Sequence, residues 1–278
     1  MGSFEEASRR ARLHRARVWI KNRSPHQKTA LVVGLCVCLL LVLKLIVEDH
    51  DALFLMAEAV HFLGIGVLGY KLGVTKNCSG LSLKSQDLTA VFLSVRLYCS
   101  AMMEGDWHTL LDAMTLAATL WICGAVRFTD LKSSYNKELD TMRSLYILGP
   151  CLLAALLAHP TTSHMFINRV LWALCVYVEA VSVLPQLRMM QRAKVVERFT
   201  ANYVFALGVA RFLSCAHWVL QIFDGQSYLA TALGSGAWPV MVLLSEIVQT
   251  FILADFCYYY VLSAAEGAGV VRLPAGLV

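Results

Sequence analysis

Long apolar stretches alternate with short polar ones over almost the whole chain, at residues 29–47, 52–70, 87–103, 109–127, 144–159, 167–187, 203–223 and 239–264. A membrane-spanning helix needs about 20 mostly apolar residues. The pattern therefore predicts eight spans, of which 87–103 and 144–159 are the weakest. The two-residue alternation of a membrane barrel is absent, and in lipid the helix is then the remaining way to satisfy backbone N–H and C=O groups. The predicted fold class is an all-α polytopic membrane bundle.

Composition agrees with the pattern. Of 278 residues 58% are hydrophobic and 15% charged, with mean hydropathy +0.61, more apolar surface than a soluble core of this size can hide. The nine cysteines fall mostly inside predicted spans, without a C-x-x-C or a His-paired spacing. They read as small packing residues, and neither a metal nor a cofactor is expected. The 28 residues before the first apolar run are too long and too basic for the n-region of a cleaved signal peptide, so the first helix is expected to stay as an anchor. No nucleophile geometry or phosphate-binding glycine loop suggests catalysis, and no folded basic domain suggests nucleic-acid binding.

Charge then orients the bundle. Residues 1–28 carry eight lysines and arginines, and segments 71–86, 127–143 and 188–202 carry three, four and four; segments 103–108, 158–168 and 224–238 carry none. By the positive-inside rule this alternation puts the basic loops and both termini in the cytosol. The pairs Arg10-Ala-Arg12 and Arg15-Ala-Arg17 have two readings, an orientation determinant for the first helix or arginine-based sorting signals that also meet anionic lipid.

Several ionisable residues lie well inside predicted helices: Glu58, His61, Arg96, Asp112, Glu179, Arg211, Glu246 and Asp255. An ionised side chain at the middle of a bilayer costs about 2.5–3.5 kcal/mol on insertion scales, so these residues are expected to face the bundle interior and one another. For Asp112, Glu246 and Asp255 the expectation is helix-to-helix ion pairs that hold the bundle together. Glu179 stands out, in the greasy stretch "CVYVEAVSVLPQL" of residues 175–187.

The stretches "NCSGLSLKSQ" with the later Arg96, "LWALCVYVEAVSVLPQL", "NYVFALGVARFL", "HWV", "IVQTFILADFCYYY" and the terminal "RLPA" occur in order from about residue 52 onward. On these motifs the chain resembles the KDEL receptor family, the ER lumen protein-retaining receptors. The resemblance implies a seven-helix core over 52–264, similar to PQ-loop and sugar-transporter (SWEET-like) bundles, with two three-helix units at 52–127 and 167–264 joined by the helix at 144–159. Around it lie a basic cytosolic segment (1–28), an additional transmembrane helix (29–48) and a cytosolic tail (265–278). Each three-helix unit carries a glutamine after its first helix, Gln86 and Gln186.

The resemblance further implies a receptor that captures lumenal proteins through a C-terminal Lys/His-Asp-Glu-Leu tail in a lumen-facing cavity, binding at acidic Golgi pH and releasing in the ER. Its partners would be that tetrapeptide, membrane lipid and vesicle coat components, and its home the ER and Golgi membranes. His61 matches the pH-sensing histidine, Arg96 a ligand-contacting arginine, Glu179 and Arg211 a buried polar pair, and Trp172 and Trp218 cavity aromatics. Arg169, expected to contact ligand, stands where the family has a glutamate for the first residue of the tetrapeptide. Other positions depart too. Phe54 and Gln221 replace arginines, Cys99 an aspartate and Ala210 a tyrosine, so two anion-holding arginines are absent and a lysine-bearing tail would meet repulsion at Arg169. The tail also lacks the lysines used for coat engagement. The leading expectation is a retrieval receptor; a small-solute carrier on the same architecture and a non-binding trafficking regulator stand beside it.

The orientation yields a test. The sequon Asn77-Cys78-Ser79 lies in a predicted cytosolic loop. In a microsomal or cellular expression system the protein is expected to show no mobility change on endoglycosidase treatment or with Asn77→Gln, whereas a shift would invert the predicted orientation.

Overall fold

A computed structural model describes residues 51–103, 107–223, 237–267 and 270–273, together with Gly34, Cys38, Val42 and Lys44. Those last four are each helical and exposed; the remainder of 29–48, residues 1–28 and the loop at 224–236 lie outside the described residues. The helices are α1 (Asp51–Thr75), α2 (Leu83–Met103), α3 (Trp107–Phe128), α4 (Leu145–Leu157), α5 (Phe166–Val181), α6 (Leu184–Ala193), α7 (Arg198–Phe223) and α8 (Trp238–Ala265). A 3-10 turn covers Asp130–Ser134. With α5 and α6 forming one broken rod, five of the seven rods among the described residues are long and apolar enough to cross a membrane. The exceptions are α2 and the short α4, the two stretches that read weakest in the sequence.

The break between α5 and α6 has a local cause. Pro185 has no N–H for the carbonyl of Val181 and starts a new helix at its second position. Ser85 Oγ donates to the Ser182 carbonyl at 2.7 Å, satisfying the backbone where the rod breaks.

Six rods close a ring. α1 packs on α3 and α7, α2 on α3 and α5, and α8 on α5 and α7, while α4 lies outside against α5. Each unit thus orders its helices first, third, second, and the first helix of each packs on the second of the other. Small residues set the closest approaches. A Cβ on Gly64 would lie 3.0 Å from the Cβ of Ala206, and one on Gly208 would lie within clashing distance of Cys257 Sγ.

The two glutamines tie the units together crosswise. Gln186 accepts from Ser82 N–H at 2.8 Å and donates to the Gly80 carbonyl at 2.8 Å, while Gln86 donates to the Tyr203 hydroxyl at 2.8 Å. Asp140 extends this lock at the basic end, accepting from Ser82 Oγ, the Lys84 N–H and the Tyr135 hydroxyl. Burial and the adjacent Asp140 carboxylate push the Tyr135 phenol pKa up, so it stays a donor.

Three features of the basic end depart from expectation. Lys71 belongs to the buried end of α1 rather than to a basic loop: its ammonium donates to Glu197 at 2.6 Å and to Thr200 Oγ1 at 3.1 Å. Asp255, expected to pair inside the bundle, is exposed on the outer side of α8. It lies 17 residues into that helix, about 26 Å along its axis, close to the edge of a 30 Å apolar slab where a carboxylate reaches water. Finally, a strand pair joins the tail to the loop after α6. β1 (Val195–Glu197) runs antiparallel to β2 (Val270–Arg272), with Val195 opposite Arg272 and Glu197 opposite Val270. Val271 and Leu273 thereby enter the basic-end core with Ile65, Leu68 and Leu72 of α1. Every described cysteine is a free thiol, and most are buried.

Gly208→Val is expected to abolish a monodisperse peak in size-exclusion chromatography of detergent extracts. Gly66→Ala, with open space around its Cβ, should behave as the unsubstituted protein.

Candidate functional site

A cavity of about 250 Å³ opens between the helices at the neutral end of the ring. Its walls follow from helical spacing. On α5, Arg169, Trp172, Val176 and Glu179 recur at three- and four-residue intervals and share one face, with about 15 Å of helix from the first to the last. The same rule places Phe54, Glu58 and His61 on α1, Arg211, Ser214 and Trp218 on α7, and Trp238, Val242 and Glu246 on α8. Each wall begins with an aromatic at the neutral end, or with Arg169 just above one, and turns charged one to three turns deeper. The result is an aromatic collar over a charged floor.

The floor is centred on Glu179. Its carboxylate accepts from Arg96 Nη1 at 2.9 and 3.0 Å and from Arg211 Nη1 at 2.5 Å. Arg96 is held on its other edge by Asp112 of α3, with Nε to Oδ2 at 2.6 Å and Nη2 to Oδ1 at 2.5 Å. This two-point geometry is what a guanidinium offers and an ammonium does not. His61 lies beside this cluster, 5% exposed, its ring stacked 6.5 Å from Phe92. A second, small cavity of about 10 Å³ lies between His61, Glu179 and Arg211 on one side and Ser85, Thr89 and Gln249 on the other. Its size is close to that of one water.

Around the floor stand carboxylates without an arginine or lysine. Glu246 accepts from Gln249 Nε2 at 2.6 Å, and Glu58 lies 2.8 Å from His108 Nδ1. Phe54 sits between His108 and His217, at ring distances of 5.0 and 5.4 Å. At the mouth, Arg169 lies 5.9 Å over the Phe166 ring; its Nε is buried with no hydrogen-bond partner, and no carboxylate reaches it among the described residues.

All seven residues singled out from the sequence, His61, Arg96, Arg169, Trp172, Glu179, Arg211 and Trp218, line this cavity, as do Phe54 and Ala210. Cys99 does not; its thiol lies 4.0 Å from the Asn168 carbonyl. The Gln221 side chain lies outside the described residues. The helix-to-helix ion pair expected of Asp112 is present, but sequence reasoning did not name Arg96 as its partner. The carboxylate absent at Cys99 is supplied from the next helix by Asp112, whose position inside a span was the available signal. It also missed His108 as the partner of Glu58, and Trp238.

Two like-ordered helical triads around a charged, one-ended cavity define a repeat-built polytopic membrane protein, a layout recurrent among membrane carriers. The family model described as ER lumen protein retaining receptor matches residues 77–221. The chain is 33% identical to ER lumen protein-retaining receptor A of Arabidopsis thaliana over 217 residues, covering 77% of this chain and 95% of that protein. It is 31% identical to the ER lumen protein-retaining receptor of Petunia hybrida over 208 residues, 74% of this chain and 91% of that one. It is likewise 31% identical to ER lumen protein-retaining receptor erd-2.2 of Caenorhabditis elegans over 220 residues, 78% and 96%. The chain belongs to the ER lumen protein retaining receptor family. It is a multi-pass helical membrane protein of the ER–Golgi pathway and not an enzyme.

Removing one partner of a buried ion pair costs about 3–5 kcal/mol because a charge is left uncompensated. Asp112→Asn is therefore expected to lower the melting temperature in detergent markedly. Adding Cys99→Asp, three residues from Arg96 on α2, should restore part of the loss. An unchanged melting curve for Asp112→Asn would show that Arg96 does not depend on Asp112.

Proposed function

We propose that the protein is a retrieval receptor whose cavity takes the C-terminal end of ER-lumenal proteins, of the Lys/His-Asp-Glu-Leu kind, and returns them from the Golgi to the ER. The observation that carries this reading is the convergence of His61, Arg96, Glu179 and Arg211 on the floor of one cavity that opens at the neutral end. In this reading the neutral end faces the lumen, the basic loops and both termini lie in the cytosol, and the helix at 29–48 returns the chain to the lumen before α1. The lock built by Gln86, Gln186 and Asp140 holds the opposite end shut, which favours capture and release on one side over passage of a solute.

The pH response would run through His61. Glu179, Arg96, Arg211 and Glu246 share its cavity. A proton on its ring would place a third cation beside two arginines that already share Glu179, so the ion pairs must redistribute, with Glu58 and Glu246 the other carboxylates in the lining. That redistribution would reshape the floor under the ligand. Lipid surrounds the bundle, and coat components would meet the cytosolic face.

The decisive experiment is equilibrium binding of purified full-length protein to peptides ending in Lys-Asp-Glu-Leu, His-Asp-Glu-Leu and their amidated forms, at mildly acidic and neutral pH. Binding that needs the free carboxylate and weakens at neutral pH is expected, and His61→Ala should erase the pH difference. Folded protein that binds no tail at either pH would overturn the proposal.

A further inference from the structure

Charge accounting inside the cavity narrows what the ligand can be, resting on the receptor reading above. The two deep arginines are committed: Arg96 to Asp112 and Glu179, Arg211 to Glu179. In the deep layer the two guanidiniums are matched by the carboxylates of Asp112 and Glu179, so neither arginine is left free for an anion. Glu58 adds a further carboxylate, paired with His108. An acidic side chain driven past the collar would find no unpaired arginine there.

Arg169 is the exception. It stands at the mouth, lines the cavity, has no carboxylate within reach among the described residues, and keeps a buried Nε–H without an acceptor. An unsatisfied buried donor is costly, and a carboxylate is the acceptor that best matches a guanidinium. One turn deeper on the same helix face stands Trp172, then Val176, and across from them Phe54, Trp218 and Trp238. A group anchored on Arg169 would thus extend a large apolar side chain into the aromatic collar. The available space, about 250 Å³, lies just under the range of about 300–1,000 Å³ usual for small-ligand sites.

We propose that this cavity reads the last residue of its ligand alone, a free carboxylate on Arg169 with a large apolar side chain in the collar of Phe54, Trp172, Trp218 and Trp238, and is indifferent to acidic residues before it. The shared chemistry, a carboxylate carrying one bulky apolar group, occurs at the end of a protein chain and in a free hydrophobic acid.

The test compares peptides ending in Lys-Asp-Glu-Leu, Gly-Ser-Gly-Leu and Lys-Asp-Glu-Ala, an amidated Gly-Ser-Gly-Leu, and N-acetyl-leucine, on the full-length protein at mildly acidic pH. The two leucine tails should bind within about threefold of each other, whereas the alanine tail and the amide should each lose about tenfold or more. Arg169→Gln should abolish the distinction between acid and amide without lowering the melting temperature, since Arg169 pairs with no carboxylate among the described residues and its buried Nε–H has no acceptor, and Arg169→Lys should restore part of the distinction. A Lys-Asp-Glu-Leu tail binding tenfold tighter than Gly-Ser-Gly-Leu would overturn this inference and leave the receptor proposal standing. Arg169-dependent binding of N-acetyl-leucine without binding of any tail would do the reverse, and silence of all five probes would end both.

Discussion

One carboxylate shared by two guanidiniums organises this molecule. Glu179 draws Arg96 of α2 and Arg211 of α7 onto α5, and Asp112 adds α3, so four of the six ring helices meet in a single cluster of ion pairs. In a bilayer no hydrophobic driving force selects among apolar faces, because lipid is as apolar as the core. Pairing of charges that lipid cannot solvate is then a strong source of rotational and vertical register for each helix. The cavity above is a by-product of that register, since the aromatic collar occurs wherever the same helix faces continue toward the neutral end.

The glutamine pair performs the corresponding task at the other end. Gln186 satisfies the backbone of the turn before α2, and Gln86 reaches Tyr203 of the second unit, so each half closes on the other. Hydrogen bonds between uncharged groups suffice here because the turn backbone itself needs partners. Charge fixes the middle of the bundle and backbone satisfaction fixes its basic end, leaving the neutral end free to open.

Within the described residues the positions of the helices were legible from apolar run length, and the basic loops were legible from charge. Rotation about each helix axis was not. A helix that is apolar all round carries no signal for which face turns inward, so Asp255 was expected inside and lies outside, and Lys71 was counted with a loop although α1 buries it. The cavity residues were found because embedded charges are rare enough to be informative and because the family motifs align them. Partner choice escaped both routes. Nothing in the spacing of Asp112 says that it, rather than a residue near Cys99, holds Arg96, because that depends on how α2 and α3 lean together.

The strand pair at the basic end bears on biosynthesis. Leu273 lies beyond the last helix, yet it shares a core with Ile65, Leu68 and Leu72 of α1. Contacts across some two hundred residues form late, after their loop-closure entropy has been met. The basic-end core therefore stays incomplete until the last helix of the bundle has been made and inserted, so the first helix waits on the last for part of its packing.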